Sequence, residues 1–487
     1  MTIDTLPDDV LLEIFAHYVL EVPEACIQVD DTELWITLAH VCRKWRNIVF
    51  ESPCRLNLRI PCTARTRVTA MSNVWPALPM VIRDNYSNVY SGSPLMGGAG
   101  NIIAALRLRD RVHQISFLDY PSPLLERIAA SMLGSFPALT SLTITSRDHM
   151  IPVAVFPEAF LGGSAPRLRS CFLMGIPLFP GIQKLLLSTN QLVELTLKDI
   201  PHSGYISPED VVTCLSAMPN LKQFCLGFRS RESIPSQPNY WRLPPPPTPA
   251  VLPSLTEFGF KGASEYMEDL LPRINAPLIY NVSIWLFYLL IFDTPQLYNF
   301  LSRTQIFESS SGAAVSFYDD QLYFRHRHQF SLSITGVTLS RELSSLVQIC
   351  SLSFPPICTL KRLDIRLNRW SAPHYPGDTD MEYVRWLDFF HPFTALEYLC
   401  LDKNAARRIV PALRHSHLAP EGATQMLPAL QSLFINELSY PLQEGIVEFV
   451  TARQLSGLPV AVYSWDGNSN GSRGTHPSQL DVPVRDI

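Results

Sequence analysis

The side chains in this 487-residue sequence best suited to chemistry are two histidine pairs, His326 with His328 and His415 with His417, and ten cysteines. A metal site needs imidazole or thiolate ligands whose surroundings tolerate a cation. Both pairs stand beside arginine, as Arg325-His326-Arg327-His328 and Arg414-His415-Ser416-His417, so positive charge already occupies the place a cation would take. The cysteines, at 26, 42, 54, 62, 171, 214, 225, 350, 358 and 400, contain no Cys-x-x-Cys pair. Neither a zinc site nor a disulfide framework is indicated, and the thiols are expected to be reduced and mostly buried. No His-Glu-x-x-His occurs, and the glycine cluster Ser91 to Gly100 lacks the lysine of a phosphate loop. No catalytic residue, metal ligand or cofactor-binding residue is therefore expected. The basic His pairs also fall short of a nucleic-acid surface, since the isoelectric point is near 6.2 and no sustained Lys/Arg stripe is present.

Composition sets the class. Apolar residues make up 47% and charged residues 17%, enough to bury a large core and too apolar for a disordered scaffold. The sequence starts in an acidic segment, with no basic start followed by an apolar stretch, so export is not expected and the compartment reads as cytoplasmic or nuclear. In that setting the Asn-x-Ser matches at Asn85, Asn281 and Asn470 carry little meaning. The apolar run Val282 to Phe292 is closed by Asn281 and Asp293-Thr294-Pro295, well short of the roughly 20 residues a membrane helix needs. A buried strand with adjoining core is expected there, and no membrane partner.

Repetition organises most of the chain. Leu-x-x-Leu-x-Leu, with other apolar residues allowed, begins at Val112, Leu139, Leu168, Leu192, Leu221, Leu255, Ile279, Leu360, Leu396 and Leu430. The 81-residue gap before Leu360 holds further strand-like pieces at 315–317 and 330–334. Each hit alternates like a strand with one buried face, and the intervening residues are long enough for a returning helix, for example Pro208 to Ala217, Gln296 to Arg303 and Ser340 to Ile349. Entries such as Phe136-Pro137-Ala138-Leu139 and Met218-Pro219-Asn220-Leu221 mark where strands begin. The pattern resembles an irregular leucine-rich-repeat solenoid of the α/β class. That likeness implies parallel strands on a concave face and helices on the convex one, over residues 105–463. Outward strand positions, among them Thr143, Phe172, Thr196, Glu257, Arg362, Asp364, Tyr398 and Phe434, mix charge, polarity and aromatic character without a theme. A doubly wound sheet would require a glycine-rich strand end such as Gly-x-Gly-x-x-Gly, and none is present.

Three stretches break the pattern. Residues 61–104 read as an irregular link or a first atypical repeat. Residues 229–251 hold Leu243-Pro244-Pro245-Pro246-Pro247-Thr248-Pro249, a stiff loop. The segment 464–487, rich in Gly, Ser, Asn and Pro, reads as a disordered tail.

Residues 1–60 form a separate unit. Pro7 suits a helix start, Asp8 and Asp9 sit where the helix dipole favours negative charge, and Val10, Leu11, Ile14 and Phe15 form an apolar stripe. Further on, Leu34, Leu38, Val41, Trp45 and Ile48 share a helical face, and Pro53 ends that run. So few short helices cannot bury this much apolar surface alone, and an exposed apolar face is expected. The segment carries ten acidic and five basic side chains, which accounts for the whole formal charge of −5. Leu6-Pro7-Asp8-Asp9-Val10-Leu11 and Val41-Cys42-Arg43-Lys44-Trp45-Arg46, in that order, resemble the two halves of an F-box over residues 4–52. The extra length between them, from Val22 to Glu33, looks like the insertions of some fungal F-box proteins. The resemblance implies docking on a Skp-type adaptor through Leu6, Pro7, Val10, Leu11, Ile14, Phe15, Val41, Cys42 and Trp45. The chain would then be the non-catalytic substrate-receptor subunit of an SCF-type ubiquitin ligase, its repeats holding a protein target. The alternative is a repeat scaffold whose F-box-like helices cap the solenoid, with no ligase attached.

Overall fold

The computed structural model describes residues 6–20, 34–52, 56, 58–64, 78–86, 98–146, 153–231, 249–287, 294–304, 306, 312–318, 321–326, 329–335, 359–367, 379–415, 426–436 and 440–464. The chain divides into two compact units, Met1–Leu255 with Arg273–Ala276, and Thr256–Pro272 with Pro277–Ile487.

The first unit opens with helices α1 (Asp8–Leu20), α2 (Leu34–Val41) and α3 (Arg43–Glu51). Strands β1 (Ile60–Cys62), β2 (Met80–Asn85), β3 (Val112–Tyr120), β4 (Ser141–Ser146), β5 (Ser170–Met174), β6 (Glu194–Ile200) and β7 (Gln223–Phe228) follow and pair in chain order, every pair parallel. Between them run α4 (Gly98–Leu106), α5 (Ser122–Ala129), α6 (Ile182–Leu187), α7 (Pro208–Ser216) and single 3-10 turns. Residues 61–104 thus supply β2 and the start of α4, and the sheet begins upstream of the first repeat match. Ser207 caps α7 by accepting the Asp210 N–H at 3.1 Å, with Pro208 at the first helical position. A short parallel bridge joins Ala250–Val251 to Ile274–Asn275.

Several repeats of this unit share one way of entering the strand and one way of leaving it. At entry, a turn brings the strand's leading Leu back three residues: Leu139 N–H donates to Phe136 O at 3.2 Å, Leu168 to Ala165 at 3.1 Å, Leu192 to Thr189 at 3.2 Å and Leu221 to Met218 at 3.2 Å. Proline stands second in three of these turns, where its fixed φ is preorganised. All four leucines are buried. One backbone bond per repeat then ties entry to entry, Arg169 N–H to Thr140 O at 2.8 Å, Val193 to Arg169 at 2.7 Å and Lys222 to Val193 at 2.8 Å.

At exit, Phe117-Leu118-Asp119-Tyr120-Pro121, Leu173-Met174-Gly175-Ile176-Pro177 and Leu197-Lys198-Asp199-Ile200-Pro201 share a left-handed residue, with φ of 55° at Asp119, 72° at Gly175 and 50° at Asp199. Gly and Asp tolerate that region best. The kink shifts the register of β3 and β6, and Tyr120, Ile176 and Ile200 are each only 1% exposed. The proline that follows begins the return.

The second unit contains β8 (Glu257–Gly262), α8 (Ser264–Leu270), β9 (Asn281–Phe287), α9 (Pro295–Ser302), β10 (Gly312–Tyr318), β11 (Gln321–His326), β12 (Phe330–Thr335), β13 (Arg362–Leu367), α10 (Thr379–Phe390), β14 (Tyr398–Leu401), α11 (Lys403–His415), β15 (Ser432–Ile435), α12 (Tyr440–Leu455) and β16 (Ala461–Ser464). Its strand order is β8-β9-β12-β11-β10-β13-β14-β15-β16. All pairs are parallel except β10 with β11 and β11 with β12. The parallel sheet expected of the repeats is present, with these two pairings as the departure. An antiparallel meander is set into the sheet in reversed order, because the two-residue link at 319–320 and the three-residue link at 327–329 are too short for a parallel crossover. The apolar run beginning at Val282 enters β9, with Val282, Ile284 and Leu286 buried and Trp285 on the open face. Helices expected at 208–217 and 296–303 are present, whereas the one expected at 340–349 lies outside the described residues, as do most of the proline-rich loop and the tail after residue 464.

Candidate functional site

Helices α1 to α3 form the site. Asp8 begins α1, Leu11 N–H donates to Pro7 O at 3.0 Å, and Lys44 Nζ reaches both Leu6 O at 2.9 Å and Asp8 Oδ1 at 3.2 Å. Lys44 thereby ties the start of α1 to α3. Cys42 separates α2 from α3 and caps the latter, its Sγ accepting the Trp45 N–H at 3.4 Å. Arg46 Nε donates to Ala39 O at 2.9 Å across the same corner. Trp45 lies against Phe15, ring centroids 4.7 Å apart and tilted 55°. Leu11, Leu12, Phe15, Leu38, Ile48 and Val49 close the interior of the three helices.

The nine residues expected at a docking face divide by depth. Pro7, Val10, Ile14 and Val41 are exposed; Leu6, Cys42 and Trp45 are half-buried; Leu11 and Phe15 are 0% exposed and lie beneath. Tyr18 belongs to the exposed set and was absent from the expected one, although it stands four residues after Ile14. Pro7, Val10, Ile14 and Tyr18, at spacings of three, four and four, make one stripe along α1. Val10, Ile14, Tyr18 and Val41 are each between 40% and 56% exposed. Exposed Asp8, Asp9 and Glu13 interleave with the stripe.

The opposite side is anchored. Trp35 is fully buried, its indole Nε1 donates to Arg59 O at 2.9 Å just before β1, and its ring meets Phe50 edge-on at 6.2 Å. Leu56 and Leu58 are buried in the same connection.

Among the described residues reactive chemistry finds no constellation elsewhere. His326 is buried on the core side of β11, the His415 side chain lies outside the described set, and so do His328 and His417. Among the described residues no group of three or more His, Cys, Asp or Glu is placed to hold a metal. Burial pushes the thiols of Cys62 and Cys171 up to about 12 and that of Cys214 up to about 11, which leaves almost no thiolate near neutrality. Tyr120 donates its hydroxyl to Asp84, whose other oxygen accepts the Ala64 N–H at 3.2 Å. Burial and then the Asp84 charge raise the phenol, so the pair is a buried tether rather than an acid–base couple. One Gly-x-Ser-x-Gly run, Gly467-Asn468-Ser469-Asn470-Gly471, falls outside the described residues; the sequence after it, broken by Gly474, Pro477 and Pro483, is a poor source of the helix that a nucleophile elbow requires. Among the described residues no helix is long and apolar enough to cross a membrane.

A family model for the F-box-like domain matches residues 3–54, the segment that builds α1 to α3. Among solved structures, the chain is similar to the leucine-rich repeat-containing protein LegL7 from Legionella pneumophila, with 14% identity over 80% of this chain and 97% of that one and a TM-score of 0.27. No curated protein matches.

Proposed function

We propose that the chain is the substrate-receptor subunit of an SCF-type, cullin-RING ubiquitin ligase. The F-box-like helices dock on a Skp-type adaptor, the sheet-bearing body holds a protein target, and ubiquitin transfer is left to other subunits. The observation that carries this reading is the stripe Pro7, Val10, Ile14 and Tyr18 with neighbouring Val41. Helices already anchored through Trp35 still hold these apolar side chains about half in water, and covering the rest of each would be worth about 1 kcal/mol. Leu6, Cys42 and Trp45 border the face, and Leu11 and Phe15 support it from below. The receptor adds rate by tethering, which raises the effective concentration of a target lysine beside the transfer machinery. It contributes no catalytic group and needs no cofactor. Its compartment is cytoplasmic or nuclear, where that machinery works.

A second reading has its own observation. Trp35 and Phe50 pack α2 and α3 onto the connection into β1, the first strand of its sheet, as a capping element would. Co-purification of the full chain with a Skp-type adaptor, beside a Leu6→Asp/Trp45→Ala variant, separates the two. Docking predicts that wild type carries the adaptor and the variant loses it. If wild type carries none and the variant unfolds, the helices are a cap.

A further inference from the structure

The open face of the second unit's sheet carries a feature that a plain parallel repeat would lack. The inserted strand β11 places Tyr323 and Arg325 on that face, two residues apart. Strand pairing sets Lys261, Trp285, Ser333, Tyr323, Ser316 and Arg366 side by side in one row across six strands. Ser333 and Ser316 are small and sunk, at 4% and 8% exposure, so Trp285 and Tyr323 stand above them. Arg325 rises in the next row between Ser331 and Ala314. It is exposed, and its side chain makes no ion pair or hydrogen bond among the described residues. The Lys261 ammonium sits 5.4 Å over the Trp285 ring, an arrangement that holds the charge at the ring face. Nearby, Arg362 and Asp364 satisfy each other in a two-point pair at 2.9 and 3.2 Å.

We infer that this face binds an extended, acidic peptide segment containing aromatic or aliphatic side chains, with carboxylates on Arg325, Lys261 and Arg366 and its apolar groups against Trp285 and Tyr323. Spacing favours distributed carboxylates over a single phosphate. At about 4.8 Å per strand and 3.3 Å per residue, the backbone position of Arg325 lies roughly 12 Å from that of Arg366 and roughly 16 Å from that of Lys261, so one compact dianion cannot engage all three cations. An extended peptide covers about 13 Å in four residues, so acidic side chains about four apart span the gaps. A nucleic-acid strand fits less well, because it carries a charge at every nucleotide and the Glu257 and Asp364 carboxylates interrupt any continuous basic track on the face, whereas a peptide can place carboxylates at the cations alone. The inference deepens the target-holding half of the receptor reading and rests on it.

The test pans a random dodecapeptide display library on the purified full chain and on Arg325→Glu and Trp285→Ala variants, with Arg407→Glu, an exposed change on α11, as charge control. Fluorescein-labelled versions of the winning peptides and a labelled twelve-residue oligouridine are then titrated into each protein. Wild type and Arg407→Glu are expected to enrich acidic, aromatic-containing peptides, Arg325→Glu to bind them about tenfold or more weakly, and added salt to weaken them further. Winners of average charge, equal loss in Arg407→Glu, unchanged binding in Arg325→Glu, or oligouridine binding tighter than any peptide each overturns it. Melting curves on every variant confirm that the fold is kept, and Trp285→Ala tests the aromatic contact should Arg325→Glu melt early. Adaptor binding on the same samples keeps the two claims apart. Adaptor bound without acidic winners sinks only the peptide surface, and acidic winners without adaptor sink the ligase assignment.

Discussion

At the scale of the residue, backbone conformation and burial decide more than reactive chemistry does. Gly175, at φ 72°, leaves little room for a side chain, since an added Cβ would meet Ser146 O at 3.3 Å and Ser146 Cβ at 3.4 Å. Gly175→Ala is expected to cost about 1–2 kcal/mol in a urea melt, combining left-handed strain with that contact. Asp119 and Asp199 hold the equivalent corner with a permitted polar residue. The three aligned exits were present in the sequence as a repeated Asp/Gly, apolar, Pro triplet, but they fall after the Leu-x-x-Leu-x-Leu window and so lay outside the pattern searched. The thiols give a second prediction. With Cys171 and Cys214 raised by burial, alkylation of the folded chain at pH 8 should leave both unmodified, and both should react once denaturant is added. Rapid labelling of either in the native chain would contradict the buried placement. For the docking face, helical spacing identified the stripe but not its depth. Val10 and Leu11 are adjacent in sequence, and only packing with α2 and α3 sends one outward and the other to 0% exposure.

At the scale of the element, α11 shows how a strand hands over to a helix. Asp402 precedes Lys403, accepts the Ala405 N–H at 2.7 Å as a helix cap, and accepts Leu367 N–H at 2.8 Å from β13 with its other oxygen. Asp402→Ala should cost about 1–2 kcal/mol in a melt at neutral pH. Burial raises this carboxyl despite the backbone bonds that oppose the shift. A raised folded-state value means the folded form holds the proton more tightly. The contribution is therefore present below the ordinary carboxylate value and lost as pH rises through the raised one. Asp402→Asn should remove that loss, so its melting temperature relative to wild type should climb as pH rises across this window. A constant difference would contradict the assignment. In α12, Arg453 is wholly buried and donates to Met426 O at 3.1 Å and Leu430 O at 3.2 Å, closing the turn that enters β15. Strand positions were readable because alternation has a period of two that burial enforces. The reversed order of β10, β11 and β12 was not readable, since alternation reports which face is buried and carries nothing about the neighbour on either side.

At the scale of the whole molecule, the chain joins a small helical head with an apolar stripe to a much larger repeat body. Acidic charge concentrates in the first 60 residues, while the remaining sequence is balanced, 34 basic against 34 acidic. The head was legible from two ordered motif halves, and its match to the F-box-like model covers residues 3–54. The body was legible as repeats, and its target was not, because outward positions are chosen by whatever they bind rather than by the fold. The most direct test of docking titrates a Skp-type adaptor into the full chain by calorimetry, with Val10→Asp and Val41→Asp as surface-only changes. Saturable one-to-one binding is predicted for wild type, weakened about a hundredfold in each variant by a carboxylate forced into an apolar interface, with melting temperatures unchanged. No heat of binding in wild type, or affinity undiminished from wild type in both variants, would contradict the account.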